Sequence, residues 1–160
     1  MASTLTVDNI VGATAAAKVH IPGGVVQLVA SSMGASSVTT SSSSYVTTGL
    51  SVTITPKFST SKIYLTCQGG GHYLPYQAQM ANVTIYRGNS NLGGTYGFES
   101  AYSTSGSYVI TAHSFATYDV SIGTTNAITY TVYMKTAGGT YQFTANDRAT
   151  LMFTAMEIAQ

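Results

Sequence analysis

Charge is scarce in this chain. Only 7% of its 160 residues are Asp, Glu, Lys or Arg, against about a quarter in an ordinary soluble domain. The net charge is +1, and the six basic residues, Lys18, Lys57, Lys62, Arg87, Lys135 and Arg148, are scattered. No basic patch is available for nucleic acid, so that partner is excluded. There is one cysteine, Cys67, which excludes an intrachain disulfide and leaves stability to packing and assembly. No apolar run approaches the roughly 18 residues of a membrane-spanning helix, so no membrane insertion is expected. The N-terminus lacks the basic and apolar regions of a secretion signal, which predicts synthesis in a cytoplasm. Disorder, which low charge and more than a quarter Ser plus Thr would otherwise suggest, is opposed by 44% hydrophobic content and twelve tyrosines.

What is present is period-2 alternation. Leu50, Val52 and Ile54 point one way and Ser51, Thr53 and Thr55 the other, before Pro56 ends the run. Ile63, Leu65 and Cys67 alternate with Tyr64, Thr66 and Gln68, and Gly69-Gly-Gly71 breaks the strand. Val83 and Ile85 face inward in a strand over 82–87, and 107–120 is one bent strand or two. Over 127–136, Ile128, Tyr130, Val132 and Met134 alternate with Thr129, Thr131, Tyr133 and Lys135. A strand at 25–30, a hairpin at Ala137-Gly-Gly139 leading into 140–144, and a closing strand after Asn146-Asp147 complete the set. The serine-rich stretch 31–44 reads as a solvated loop or, as the alternative, a Thr/Ser edge strand. Eight or nine short strands with no amphipathic helix predict an all-β fold, an antiparallel jelly-roll-like β-sandwich of about eight strands. Residues 1–24 differ in character and read as an extended docking or interlocking arm; 25–160 form the sandwich module.

The closing strand is apolar on both faces. Leu151, Phe153, Ala155 and Ala159 share one, and Met152, Met156 and Ile158 share the other. An antiparallel sheet ordinarily leaves one face wet, so the second face calls for a cover, either a second sheet or another copy of the chain. Met152, Met156 and Ile158 are therefore the expected oligomer interface.

Chemistry is harder to find. Of the five carboxylates, only Glu99 and Asp119 are placed to share a cleft of the kind that glycan cleavage needs, and no catalytic residue is assigned. His20, His72 and His113 match no compact zinc spacing, and Cys67 has no CxxC partner, so no metal ligand or cofactor is assigned. Cys67 reads as a small core residue. The sequon Asn82-Val-Thr84 lies in a strand and is discounted. The most distinctive stretches are 72–79 and 95–102, which read as loops rich in aromatics and amides. Tyr73, Tyr76, Tyr96, Phe98 and Tyr102 are placed to stack on sugar rings while Gln77, Gln79 and Glu99 bond hydroxyls. The alternative is that the same side chains pack loops or subunits together.

Three blocks resemble small fibre-type virion proteins of bacteriophages, particularly marine and cyanobacterial ones. They are Ser3-Thr-Leu-Thr-Val-Asp-Asn-Ile-Val-Gly-Ala-Thr14 with Val19-His-Ile-Pro-Gly-Gly-Val-Val-Gln27, then Tyr45 to Ile63 with its Thr-Ile-Thr-Pro and Ser-Thr-Ser-Lys-Ile, and finally Ala149 to Ala159. The blocks are structural rather than catalytic, and roughly 69–106 matches nothing in the family. The resemblance implies a non-enzymatic homotrimeric module of a tail fibre or similar appendage, or a head decoration protein. It also implies assembly in the host cytoplasm, release with the particle, docking to other virion proteins through the arm, and contact with a host glycan. A free lectin-like module is the remaining reading, and the missing secretion signal opposes it.

Overall fold

The computed structural model describes residues 21–34, 36–75, 79–145 and 150–160. Among them every regular element is a strand: β1 (Val25–Met33), β2 (Ser36–Thr40), β3 (Val46–Ile54), β4 (Lys62–Leu74), β5 (Gln79–Arg87), β6 (Ser90–Asn91), β7 (Glu99–Ser103), β8 (Val109–Asp119), β9 (Ile128–Ala137), β10 (Tyr141–Ala145) and β11 (Leu151–Ile158). β1 pairs with β11 and β2 with β10, so these four segments are two long interrupted ribbons lying side by side. β6 and β7 likewise share one edge of β5.

Counted as eight ribbons in chain order, the first sheet runs 1-8-3-6 and the second 2-7-4-5, all neighbours antiparallel. Ribbon 1 is β1 with β2, ribbon 5 is β6 with β7, and ribbon 8 is β10 with β11. That interleaving is the double-sheet jelly roll. The expected all-β sandwich and its strand number are what the chain adopts.

The alternation places the core. From the first sheet Leu65, Cys67, Phe115, Phe143, Leu151, Phe153 and Ala155 point inward. They meet Val52, Ile54, Val83, Ile85, Tyr130, Val132 and Met134 of the second. Cys67 is fully buried, and burial pushes its thiol far up, with the charge of Glu99 adding to the effect. Asn82 is buried too, its amide donating to Ser100 Oγ at 2.6 Å, which removes it as a modification site.

Three local readings are decided here. The stretch 31–44 carries the end of β1 and all of β2 at the sheet edge, the edge-strand alternative rather than the loop, because pairing with β10 and β11 supplies backbone partners that Ser and Thr accept as readily as water. The glycine run 69–71 does not end its strand. Gly69 and Gly70 have φ of 94° and 51°, and the bulge they form switches the inward face from odd to even residues, so that His72 and Leu74 follow Cys67 into the core. The stretches 72–79 and 95–102 contain strand as well as loop: His72–Leu74 finish β4, Gln79 begins β5 and Glu99 begins β7.

Of the expected arm, residues 1–20 lie outside the described residues. Residues 21–24 form a turn tied to the chain's end by Gly23 N to Ala159 O (2.8 Å) and Ala159 N to Gly24 O (3.0 Å).

Candidate functional site

Two regions of the molecule carry more than packing. The first is the outer face of the 1-8-3-6 sheet. Register aligns Leu28, Met156, Tyr64 and Tyr118 in one row across all four ribbons. The Tyr64 and Tyr118 rings lie 4.7 Å apart. The next row toward the chain's end holds Val25, Ile158 and Lys62, and Val120 lies beside it. Lys62, Tyr118, Val120, Ile158 and Gln160 line a shallow depression of about 260 Å³ there. Leu28, Tyr118 and Met152 are about half exposed, at 54%, 52% and 49%. Met152, Met156 and Ile158 thus share the outward face, as the alternation implied. The missed partners, Leu28, Tyr64 and Tyr118, carry the same outward parity in their own strands, but which strands lie beside the last one is a matter of topology.

The inward face of that last strand holds a charge. Glu157 is fully buried. Its carboxylate accepts from Gln27 Nε2 (2.6 Å), Lys57 N (2.8 and 3.0 Å), Phe58 N (3.1 Å) and Ser61 Oγ (2.8 Å). Burial alone would raise its pKa; these donors outweigh burial and hold it below the ordinary value. Glu157 therefore pins the turn between β3 and β4 to the closing strand.

The second region is a buried cluster between the sheets, at the edge where β7 faces β8. The bulged end of β4 turns His72 inward, and β8 turns His113 inward opposite Gly69. β7 sends Glu99 across from the other sheet. Glu99 Oε2 lies 2.6 Å from His113 Nδ1 and 3.0 Å from His72 Nε2. The first contact is a hydrogen bond; the second is not aligned as one. Ser114 N donates to Glu99 Oε1 (3.1 Å), and Tyr141 Oη bonds His72 Nδ1 (2.7 Å). The imidazole rings stand 4.1 Å apart, with Phe143 4.5 Å from His113. Burial pushes the Glu99 carboxyl up, but its contacts with His113 and His72 prevail and hold it at about 2. Burial lowers His113, with its bond to Glu99 opposing.

The sequence sets His72 and His113 side by side as metal candidates and Glu99 apart from them, as a carboxylate. Their spacing gave no sign that they meet. Glu99 and Asp119 do not share a cleft. Six residues of strand, about 20 Å, separate His113 beside Glu99 from Asp119. Asp119 is engaged by Arg87 and Tyr130 instead.

The side chains expected to touch a glycan are dispersed. Tyr73 faces out of the first sheet and Tyr102 out of the second. Tyr96 is 63% exposed, beside Lys135, whose ammonium lies 5.9 Å from its ring and 4.6 Å from that of Tyr45. Gln79 is buried, its amide spent on Thr140 O (2.9 Å), Pro75 O (3.4 Å) and Thr136 Oγ1 (3.3 Å), so it offers nothing outward. Phe98 packs against the core with its ring parallel to Phe115. Tyr76 and Gln77 lie outside the described residues.

No family model matches this chain, and no curated protein matches it. Among solved structures, a mutant VP2 protein of infectious bursal disease virus, from derived T=1 particles, aligns over 84% of this chain with 9% identity and a TM-score of 0.40. The alignment spans 37% of that viral chain. At such values the likeness decides nothing about function.

Proposed function

We propose that this chain is a structural protein of a bacteriophage particle, a non-enzymatic jelly-roll module that assembles as a homotrimer in a tail fibre or similar appendage. The phage assignment rests on the three blocks of family resemblance. Self-assembly rests on one observation, the apolar outer face of the 1-8-3-6 sheet. A monomer gains nothing from aligning Leu28, Met156, Tyr64 and Tyr118 across four ribbons and leaving two of them half exposed. A chain with so few charges has little other protection against unspecific association. An interface between copies gives that face a defined partner. Exposed Tyr96 and Tyr102, the latter on the outer surface of the opposite sheet, stay available for host contact in such an assembly.

Light scattering on the purified chain tests the assembly. A particle of about three times the 16.7 kDa chain mass supports it; a stable monomer overturns it. Immunogold labelling of phage particles tests the location. Label on the tail supports the appendage reading, and label confined to the head replaces it with a decoration protein.

A further inference from the structure

We propose that His72, Glu99 and His113 form a binding site for one borderline divalent cation of the zinc class, which clamps the two sheets together at the β7–β8 edge. Two histidines and one carboxylate are a donor set that such cations take, with a remaining position for water. One ring nitrogen from each histidine and one carboxylate oxygen all lie within 4.8 Å of one another. Bonds of 2.0–2.2 Å in a tetrahedral arrangement hold ligands about 3.4 Å apart, a separation that lies between the 2.6 Å contact and the 4.8 Å limit.

An orphaned atom points the same way. His72 Nε2 is buried and has no hydrogen-bond partner, an arrangement that folded proteins avoid unless something else satisfies the group. On His72, Nδ1 is bonded to Tyr141 Oη, so Nε2 is the free atom, and it faces a carboxylate oxygen 3.0 Å away. In the tautomer whose Nδ1–H donates to Tyr141 Oη, two lone pairs face each other. A cation between them removes that repulsion, and Tyr141 becomes the outer partner that orients a ligating imidazole. The partly buried carboxylate of Glu99 gains a counter-charge in the same step. Hard cations such as Ca²⁺ and Mg²⁺ prefer oxygen-only shells and do not suit two imidazoles.

The ligands come from both sheets: His72 and His113 from one, Glu99 from the other. The cation would thus act as a cross-link, replacing what a chain with one cysteine cannot build from disulfides. Glu99, 16% exposed on its side chain, provides the route in from solvent.

The test uses the full chain without a histidine tag. The protein is stripped with a chelator, titrated with ZnCl₂ by calorimetry, and melted with and without the metal. One zinc per chain is expected, with a melting temperature raised by roughly 5 to 10 °C at a hundredfold excess over Kd. Co²⁺ in place of Zn²⁺ should give the visible bands of a four-coordinate site. Glu99→Gln and His113→Ala should each abolish stoichiometric binding, while His20→Ala leaves it intact. If the wild-type chain binds neither Zn²⁺ nor Co²⁺ and its melting temperature is unchanged, the proposal fails. Equal binding by wild type and Glu99→Gln also overturns it, since the metal would then sit elsewhere.

Discussion

Arg87 of one sheet reaches Asp119 of the other, its Nη1 lying 3.0 Å from one carboxylate oxygen and 2.9 Å from the second. The same nitrogen donates to Ser121 O at 3.0 Å, and Tyr130 Oη donates to Asp119 Oδ2 at 2.7 Å. Burial and the neighbouring Asp119 carboxylate keep the Tyr130 hydroxyl protonated far above its ordinary pKa. Asp119 is almost completely buried, while Arg87 is a third exposed. Removing the guanidinium strands a buried carboxylate. Arg87→Leu is expected to cost on the order of 2 to 3 kcal/mol in urea unfolding, the exposure of Arg87 keeping it below the full cost of breaking a buried pair. Tyr130→Phe should cost about 1 kcal/mol, because Arg87 still serves the carboxylate.

Glu157 should contribute, alongside Glu99, to the acid side of the stability curve. Glu157→Gln places an amide nitrogen against groups that all donate, and a loss of about 2 to 3 kcal/mol at pH 7 is expected. Folding lowers the pKa of Glu157, so its contribution is present in full above the ordinary value of 4.5 and is lost as pH falls through the lower folded value. The melting temperature of the wild type should therefore drop more steeply below pH 4.5 than that of Glu157→Gln. Parallel curves would show that the carboxylate is not the group responsible.

Two glycines separate backbone strain from steric exclusion. Gly49 has φ of 82° with open space where a Cβ would go; Gly69 has φ of 94°, and its Cβ would run into Thr150 O. Gly49→Ala should cost only the left-handed conformation, about 1 to 2 kcal/mol. Gly69→Ala must also displace the pairing of β4 with β11, and a larger loss or insoluble protein is expected. Equal unfolding midpoints for the two variants would contradict this.

Charging the outer face should dissociate the assembly without unfolding the subunit. Met156→Lys and Ile158→Lys point outward, so each leaves the core untouched. Light scattering should then report monomers, while far-ultraviolet circular dichroism keeps its β signature. An unchanged oligomer carrying both substitutions would mean that copies meet elsewhere.

The period-2 pattern made much of the fold legible, because a strand's inward and outward sets are written in its own residues. It placed Cys67, Val83, Tyr130 and Leu151 in the core and Met152, Met156 and Ile158 outside it. Glu157 shows one limit of that reading. Its position marks it as inward, but only the turn at 57–61, folded back by the β3–β4 connection, explains how a charge is tolerated there. The bulge at Gly69 and Gly70 shows another. A parity switch inside a strand is invisible when the residues that make it carry no side chain, and from the sequence His72 reads as a loop residue for that reason.

By itself, then, the sequence determined the strand class, the inward set of the regularly alternating strands and an apolar face in need of a partner, since each follows from local alternation and composition. The tertiary structure alone decided that ribbon 8 lies beside ribbons 1 and 3, and that β7 of one sheet closes over β4 and β8 of the other. Those pairings join residues distant along the chain, and they turn three separate side chains, His72, Glu99 and His113, into one cluster. The physical reason is that register and sheet order are chosen by the burial of the whole core at once, which no single stretch of sequence encodes.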